Sequence, residues 1–302
     1  MTNSVHIADK TTLARLAAET GVPAPSPLRL DVEAAPAAGG PPARRAAVEL
    51  EGRVALVTGA ATGIGRATAL ALAAAGAAGV VVNYRSAATA AAEVAEAVRA
   101  RGAEALAVQA DVRDDGAVRA MVAAVEQRFG RLDVLVNNAG TTRWIPLPDL
   151  QALTDEIWQE ILDVNLLGAF RCTRAAAPLL AEAGGVVVNV ASISGVLAPA
   201  TMSSIPYGVA KAGLVHLTRL LAVALAPRVR VNAVAPAFTD TGWMRDHFGE
   251  AYAETVERAA ARYPLRRIAT PDDVAAAILG LVRGGDFVTG QTLLVDGGLS
   301  LG

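Results

Sequence analysis

Seven short runs rich in Val, Leu and Ile recur from about residue 50 onward, separated by Ala-rich stretches of roughly a dozen residues with helical patterning. The runs are RVALVTG at 53–59, GVVVNY at 79–84, EALAVQADV at 104–112, LDVLVNNAG at 132–140, GVVVNVAS at 185–192, VRVNAVAP at 229–236 and QTLLVDGG at 291–298. Most are apolar at consecutive positions, as expected of strands covered on both faces. Strands that alternate with helices predict an α/β fold: one doubly wound, seven-stranded parallel sheet of Rossmann type. Ligands of such sheets sit at the carboxyl ends of the strands, which here read TG, NY, ADV, NNAG, AS and AP.

Residues 51–302 form one such domain in this reading. Residues 1–50 differ in kind: a helical piece, ADKTTLARLAAETG, precedes the Pro/Ala/Gly-rich EAAPAAGGPPARR, which cannot pack a core by itself. They are read as an appended arm. The stretch TGWMRDHFGEAYAETVERAAARYP follows the sixth run, and a lid is expected over about 241–265.

With 27 basic and 29 acidic residues, net charge −2, the chain has no basic field for nucleic acid, so a small-molecule substrate is expected. Cys172 is the only cysteine, and His6, His216 and His247 show no metal-ligand spacing, so no metal is expected. The N-terminus lacks a basic region followed by an apolar core, and the apolar runs are broken by glycine. No membrane association and a cytoplasmic location are therefore expected.

TGAATGIG after the first run reads as a dinucleotide turn feeding a helix. Gly59 allows a tight exit from the strand, Gly63 lets the backbone approach a pyrophosphate, and Gly65 permits close helix-to-strand packing. The second run ends in NYRS with no acid to grip a ribose 2′-hydroxyl, and Arg85 and Ser86 suit a 2′-phosphate. NADP(H) is therefore favoured and NAD(H) is the alternative; Arg85 is otherwise an ordinary surface charge.

Tyr207 and Lys211 lie four apart in SSIPYGVAKAGLVHL, on one face of a helix one turn from each other. An ammonium there is expected to lower the phenol pKa, helped by the helix start at Pro206. Tyr207 would then act as general acid for reduction or base for oxidation.

TGAATGIG, ADV at 110–112, NNAG at 137–140, DVNLLGAF at 163–170, VNVASISG at 188–195, YGVAK at 207–211 and VNAVAPAFTDTG at 231–242 stand in the order of a known family. Over about residues 51–302 the chain resembles the short-chain dehydrogenase/reductases, of the type of 3-oxoacyl-carrier-protein reductases and bacterial glucose dehydrogenases. The resemblance implies a catalytic set of Asn165, Ser192, Tyr207 and Lys211. Ser192 would bind the carbonyl oxygen, Lys211 the nicotinamide ribose, and Asn165 a water leading to a proton relay.

It implies a cofactor site of Gly59, Thr62, Gly63, Ile64, Gly65, Arg85, Ser86, Asp111, Val112, Asn138, Ala139, Gly140, Tyr207, Lys211, Pro236, Thr239 and Thr241. Ser194 competes with Ser192, since SISG satisfies the family's S-x-x-G with Ser192 and Gly195 while Ser194 is nearer Tyr207 in sequence. Ala237 stands where the family usually has Gly, and is tolerable at negative φ. Asn137 has a structural reading as a link between strands, and Thr239 and Thr241 one as turn formers. Trp144, Trp243, Met244, His247 and Phe248 are substrate-pocket or subunit-contact candidates; Cys172 and His216 read as packing residues.

The expected activity is NADP(H)-linked reduction of a ketone, 3-oxoacyl or similar, to a secondary alcohol. The alternatives are oxidation of a sugar or secondary alcohol and, in a different class, a non-catalytic dinucleotide-binding protein. A homotetramer, or a homodimer, is implied by the resemblance.

Overall fold

The computed structural model describes residues 50–198 and 203–301. The appended arm expected over residues 1–50 lies outside them except for Leu50, which is buried in the core.

All seven apolar runs form strands: β1 Val54–Val57, β2 Gly79–Tyr84, β3 Glu104–Gln109, β4 Val134–Asn137, β5 Val186–Val190, β6 Arg230–Pro236 and β7 Thr292–Val295. They pair in parallel in the order β3-β2-β1-β4-β5-β6-β7. The order reverses between β1 and β4, which opens a crevice at their carboxyl ends.

The helices are α1 Gly63–Ala74, α2 Ala88–Arg99, α3 Asp115–Phe129, α4 Asp155–Leu162, α5 Gly168–Ala183, α6 Ile205–Leu225, α7 Gly242–Phe248, α8 Tyr252–Arg262 and α9 Pro271–Arg283. Successive strand residues point to opposite faces. Val80 and Val82 pack with Leu72, Val94 and Ile278 of α1, α2 and α9, whereas Val81 packs with Met121, Cys172 and Leu221 of α3, α5 and α6. Both faces are thus dry, which is why the strands read as continuous apolar runs.

Buried asparagines interrupt those runs, three of them near the strands' carboxyl ends. Asn83 of β2 donates to the Ala110 carbonyl at 3.0 Å and accepts from the Gly59 N–H at 3.1 Å, joining three strand ends. Asn137 and Asn189 face each other across β4 and β5 at 2.8 Å, and Asn189 donates on to Thr218 of α6 at 2.9 Å. Asn232 of β6 donates to the Val288 carbonyl and accepts from the Gln291 N–H. The linking reading of Asn137 is the observed one.

Helix α6 starts with Ser204 as its N-cap and Pro206 in its first turn, where a missing N–H costs nothing. It is long and apolar enough to cross a membrane by length and composition alone. Its Lys211, Leu214, Thr218 and Leu221 are nevertheless buried within the domain. The α4–α5 helix is interrupted by a π-helical turn, Asp163–Leu167, in which the Gly168 N–H reaches back to the Asp163 carbonyl.

Candidate active site

A cavity of about 1270 Å³ follows the carboxyl ends of the strands. It exceeds the roughly 300–1,000 Å³ usual for one small ligand, so it has room for two.

Gly59, Thr62, Gly63 and Ile64 line this cavity where β1 turns into α1. Gly59 and Gly63 have φ of 60° and 53°, which L side chains rarely adopt. The α1 N-cap, Thr62, makes no side-chain cap, so the first N–H groups of the helix stay available to an anion. This donor set fits a pyrophosphate. Gly65 is buried beneath the turn rather than in the cavity wall: a Cβ there would lie 2.4 Å from the Gly59 carbonyl and 2.5 Å from the Asn138 amide. Of the roles read for it, packing is the one observed.

Arg85 and Ser86 are exposed beyond β2 and line the outer end of the cavity. Asp111 and Val112 lie opposite. The Asp111 carboxylate is gripped by Arg113, with contacts of 2.6–3.1 Å, which lowers its pKa. Asn138, Ala139 and Gly140 form the wall between. The Thr58 hydroxyl accepts from the Asn138 and Ala139 N–H groups at 2.9 and 3.0 Å, and the Asn138 amide donates to the Thr58 and Gly59 carbonyls. The wall and the glycine turn are therefore one hydrogen-bonded unit.

At the inner end, Ser192, Tyr207 and Lys211 share the cavity wall. The Ser192 hydroxyl lies close enough to the Tyr207 oxygen to draw its pKa down. The turn after β5 approaches α6 so closely that a Cβ on Gly195 would meet the Lys211 carbonyl carbon at 2.4 Å. Ser194 also lines the cavity, but the contact to Tyr207 belongs to Ser192.

The expected one-turn spacing is present, with the Lys211 ammonium nitrogen 5.6 Å from the centre of the Tyr207 ring. The expected acidification is not. Burial pushes the phenol up to about 12, opposed only by the nearby Ser192 hydroxyl. Burial likewise pulls Lys211 down to about 8, and the amine donates to the Val190 carbonyl at 2.8 Å. Desolvation of both groups outweighs their mutual influence. Tyr207 is consequently a protonated phenol at neutral pH, suited to giving a proton.

Asn165 is buried inside the π-turn, behind the cavity wall. Its amide donates to the Ile161 and Thr141 carbonyls, each at 2.8 Å, and its oxygen accepts from the Thr141 N–H at 3.3 Å. It braces Thr141, which does line the cavity, so its reach to the site is through the backbone after β4.

Pro236, Thr239 and Thr241 line the cavity after β6. Thr239 donates its hydroxyl to the Ala237 carbonyl at 3.0 Å, as a turn former does. Thr241 faces the glycine turn: a Cβ on Gly63 would sit 3.6 Å from its methyl carbon. Arg266 is the one non-glycine with positive φ among the described residues, so Ala237 occupies ordinary backbone space.

Helices α7 and α8 border the cavity together with the segment after β4. His247 stacks on Trp144 with ring centres 3.8 Å apart and planes 8° from parallel, and Phe248 packs edge-on against Trp144 and Phe238. Trp243 and Met244 also line the cavity. Asp240 holds both helices by accepting from Arg245 of α7 and from the Tyr252 hydroxyl of α8.

Four contributors were missed from sequence. Asn83 and Thr58 organise the glycine turn, and a polar residue at the end of an apolar strand was the available signal. Thr142 and Ser203 share a hydrogen bond of 2.6 Å at the cavity wall, between segments 61 residues apart, and no local pattern announces it.

A family model described as enoyl-(acyl carrier protein) reductase matches residues 59–300. A ketoacyl reductase ascribed to the granaticin polyketide synthase of Streptomyces violaceoruber is 48% identical over 252 residues, 83% of this chain and 97% of that protein. A 3-oxoacyl-[acyl-carrier-protein] reductase of Synechocystis sp. is 41% identical over 254 residues, 83% and 98% of the two chains. The solved structure of a short-chain type dehydrogenase/reductase from Mycobacterium marinum superposes with a TM-score of 0.75 at 33% identity, covering 84% of this chain and 98% of that one.

Proposed function

The chain belongs to the short-chain dehydrogenase/reductase family of oxidoreductases, and on that premise we propose that it is an NADP(H)-dependent reductase of 3-oxoacyl-type ketones. The observation that carries the proposal is the meeting of Ser192 and a protonated Tyr207 beside buried Lys211 at the inner end of the cavity.

The family binds NAD(P)(H), whose nicotinamide supplies the hydride when bound. Gly59, Thr62, Gly63 and Ile64 would hold its pyrophosphate, with Gly65 packed below them. Asp111, Val112, Asn138, Ala139 and Gly140 would border the adenosine, and Pro236, Thr239 and Thr241 the carboxamide. Arg85 and Ser86 favour a 2′-phosphate because no acid stands at the end of β2.

Ser192 donates a hydrogen bond to the substrate carbonyl oxygen as negative charge grows there, and Tyr207 delivers its proton to the same atom. Lys211, fixed by the Val190 carbonyl, orients the ribose and supplies positive charge as the phenol loses its proton. Asn165 positions the Thr141 backbone at the wall. A phenol that stays protonated near neutrality can give its proton directly to that oxygen during reduction.

Residues 241–265, with α7 and α8, act as the lid over the substrate. The protein works in the cytoplasm as a homo-oligomer, a tetramer or else a dimer. The oligomer is supported by the half-exposed to exposed Val209, Leu220 and Val223 of α6 and Leu293 of the edge strand β7.

The test is a panel of 3-oxoacyl thioesters, simple ketones, sugars and secondary alcohols assayed with both cofactors. Thioester and ketone reduction with NADPH is expected to dominate. Oxidation of a sugar or alcohol without ketone reduction would overturn the reading.

A further inference from the structure

Helix α8 turns a particular face to the cavity: Thr255, Arg258, Ala259 and Arg262 line it, at the i, i+3, i+4, i+7 positions that form one stripe of a helix. The stripe is not apolar, as a lid packed only on a ketone's hydrocarbon would be. It alternates two small residues with two guanidinium groups.

Charge pairing sets these arginines apart. Many arginines among the described residues have a carboxylate within 3.3 Å, among them Arg113, Arg143, Arg171, Arg174, Arg245 and Arg267. Among the described residues Arg262 has no carboxylate partner, and Arg258 has only Glu254, 3.6 Å away across an exposed pair. Arg85, at the opposite end of the cavity, likewise has no carboxylate partner among the described residues. The cavity is lined by two acids, Asp111 and Asp246, against the four basic residues Arg85, Lys211, Arg258 and Arg262, and Asp111 is already held by Arg113, so the lining keeps an excess of positive charge.

We infer that the α8 stripe is a binding site for an anionic group on the substrate, a phosphate ester or carboxylate remote from the reacting carbonyl, held by Arg258 and Arg262. This rests on the reductase reading above and adds the substrate's charge class to it. Guanidinium forks match both anions, and Thr255 and Ala259 leave room between them for a chain. One cation at each end gives the cavity a polarity: Arg85 for the anion of the cofactor, the α8 pair for the anion of the substrate.

The test compares charged and neutral substrates at saturating NADPH, so that the Arg85 end is filled. Acetoacetyl-coenzyme A is set against acetoacetyl-N-acetylcysteamine for the phosphate source, and 5-oxohexanoate against its ethyl ester for the carboxylate source. In the Arg258→Gln/Arg262→Gln double variant, kcat/KM for the charged member of at least one pair is expected to fall five- to tenfold relative to its neutral partner, roughly the size of two solvent-screened ion contacts. The Arg258→Lys/Arg262→Lys variant should recover part of that preference. In the wild type, the preference should shrink as salt rises from 0.05 to about 0.5 M.

Equal losses for charged and neutral substrates, or a wild-type preference insensitive to salt, would overturn the inference. Equilibrium binding of the same four compounds to the NADP⁺-saturated protein separates it from the reductase reading. Charge-selective binding without turnover of any ketone would leave the anion site standing and remove the activity; ketone turnover without charge selectivity would do the reverse.

Discussion

The amine of Lys211 donates to the carbonyl of Val190 at 2.8 Å, which ties the active face of α6 to the end of β5 two residues before Ser192. That bond fixes the amine between the helix that carries Tyr207 and the strand that carries the serine. Helical spacing brings Tyr207 and Lys211 together, and the fold brings Ser192 to them from the end of β5.

Removing only the phenolic oxygen isolates the proton-transfer step. Tyr207→Phe should lower kcat by about 10²–10⁴-fold, the usual worth of a general acid. NADPH affinity measured by fluorescence titration should change less than about threefold, because no more than a hydroxyl is lost. Retained turnover would remove Tyr207 from the chemistry; unchanged cofactor binding with no turnover in the wild type would identify a binding protein instead.

Arg85→Ala should raise the KM for NADPH by about tenfold or more while leaving that for NADH nearly constant, since a phosphate contact is lost from one cofactor alone. Steady-state kinetics with both cofactors checks this. Equal effects on the two would show that Arg85 is a solvated surface charge.

Lys211 makes stability depend on pH in a predictable sense. Its pKa falls from 10.5 in the unfolded chain to about 8 when buried. Between those values the folded protein binds fewer protons than the unfolded chain, so this group's contribution rises with pH across that window and is constant and unfavourable below about 8. Lys211→Met should thus stabilise the fold at pH 7, by at most ~3 kcal/mol, with the gain vanishing as pH climbs toward 10.5. Urea denaturation at several pH values tests the sign, and turnover should collapse in the same variant.

Gly195→Ala adds one methyl where the Lys211 backbone already lies 2.4 Å from its ideal position. Either the turn carrying Ser192 or the first turns of α6 must move. A loss of about 1–3 kcal/mol in stability is expected, as for other overpacked sites, together with a fall in kcat larger than the rise in KM. A variant with wild-type kcat would show that the turn and helix separate freely.

The seven strands and their helices were legible because a sheet covered on both faces requires uninterrupted apolar runs. The Tyr207–Lys211 pair was legible because helical spacing alone puts the two on one face. The direction of their pKa shifts was not, since desolvation depends on everything packed around α6 and spacing reports only the partner. Asn165 was expected to hold a water, but its side chain is taken up by Ile161 and by Thr141, a partner 24 residues away, which no local pattern reports. The α8 stripe was not legible, because which face of that helix turns inward depends on the anchoring of Arg245 and Tyr252 on Asp240.

The asparagines that link neighbouring strand ends are cross-braces with directional bonds, so the floor of the cavity is set by the framework before anything enters it. The roof is built differently, from two helices fastened by one carboxylate and a pair of stacked rings. Exchange of residues in the roof can therefore retune which molecules are accepted while the hydride path below stays aligned, which makes 241–265 the segment in which to engineer a new preference.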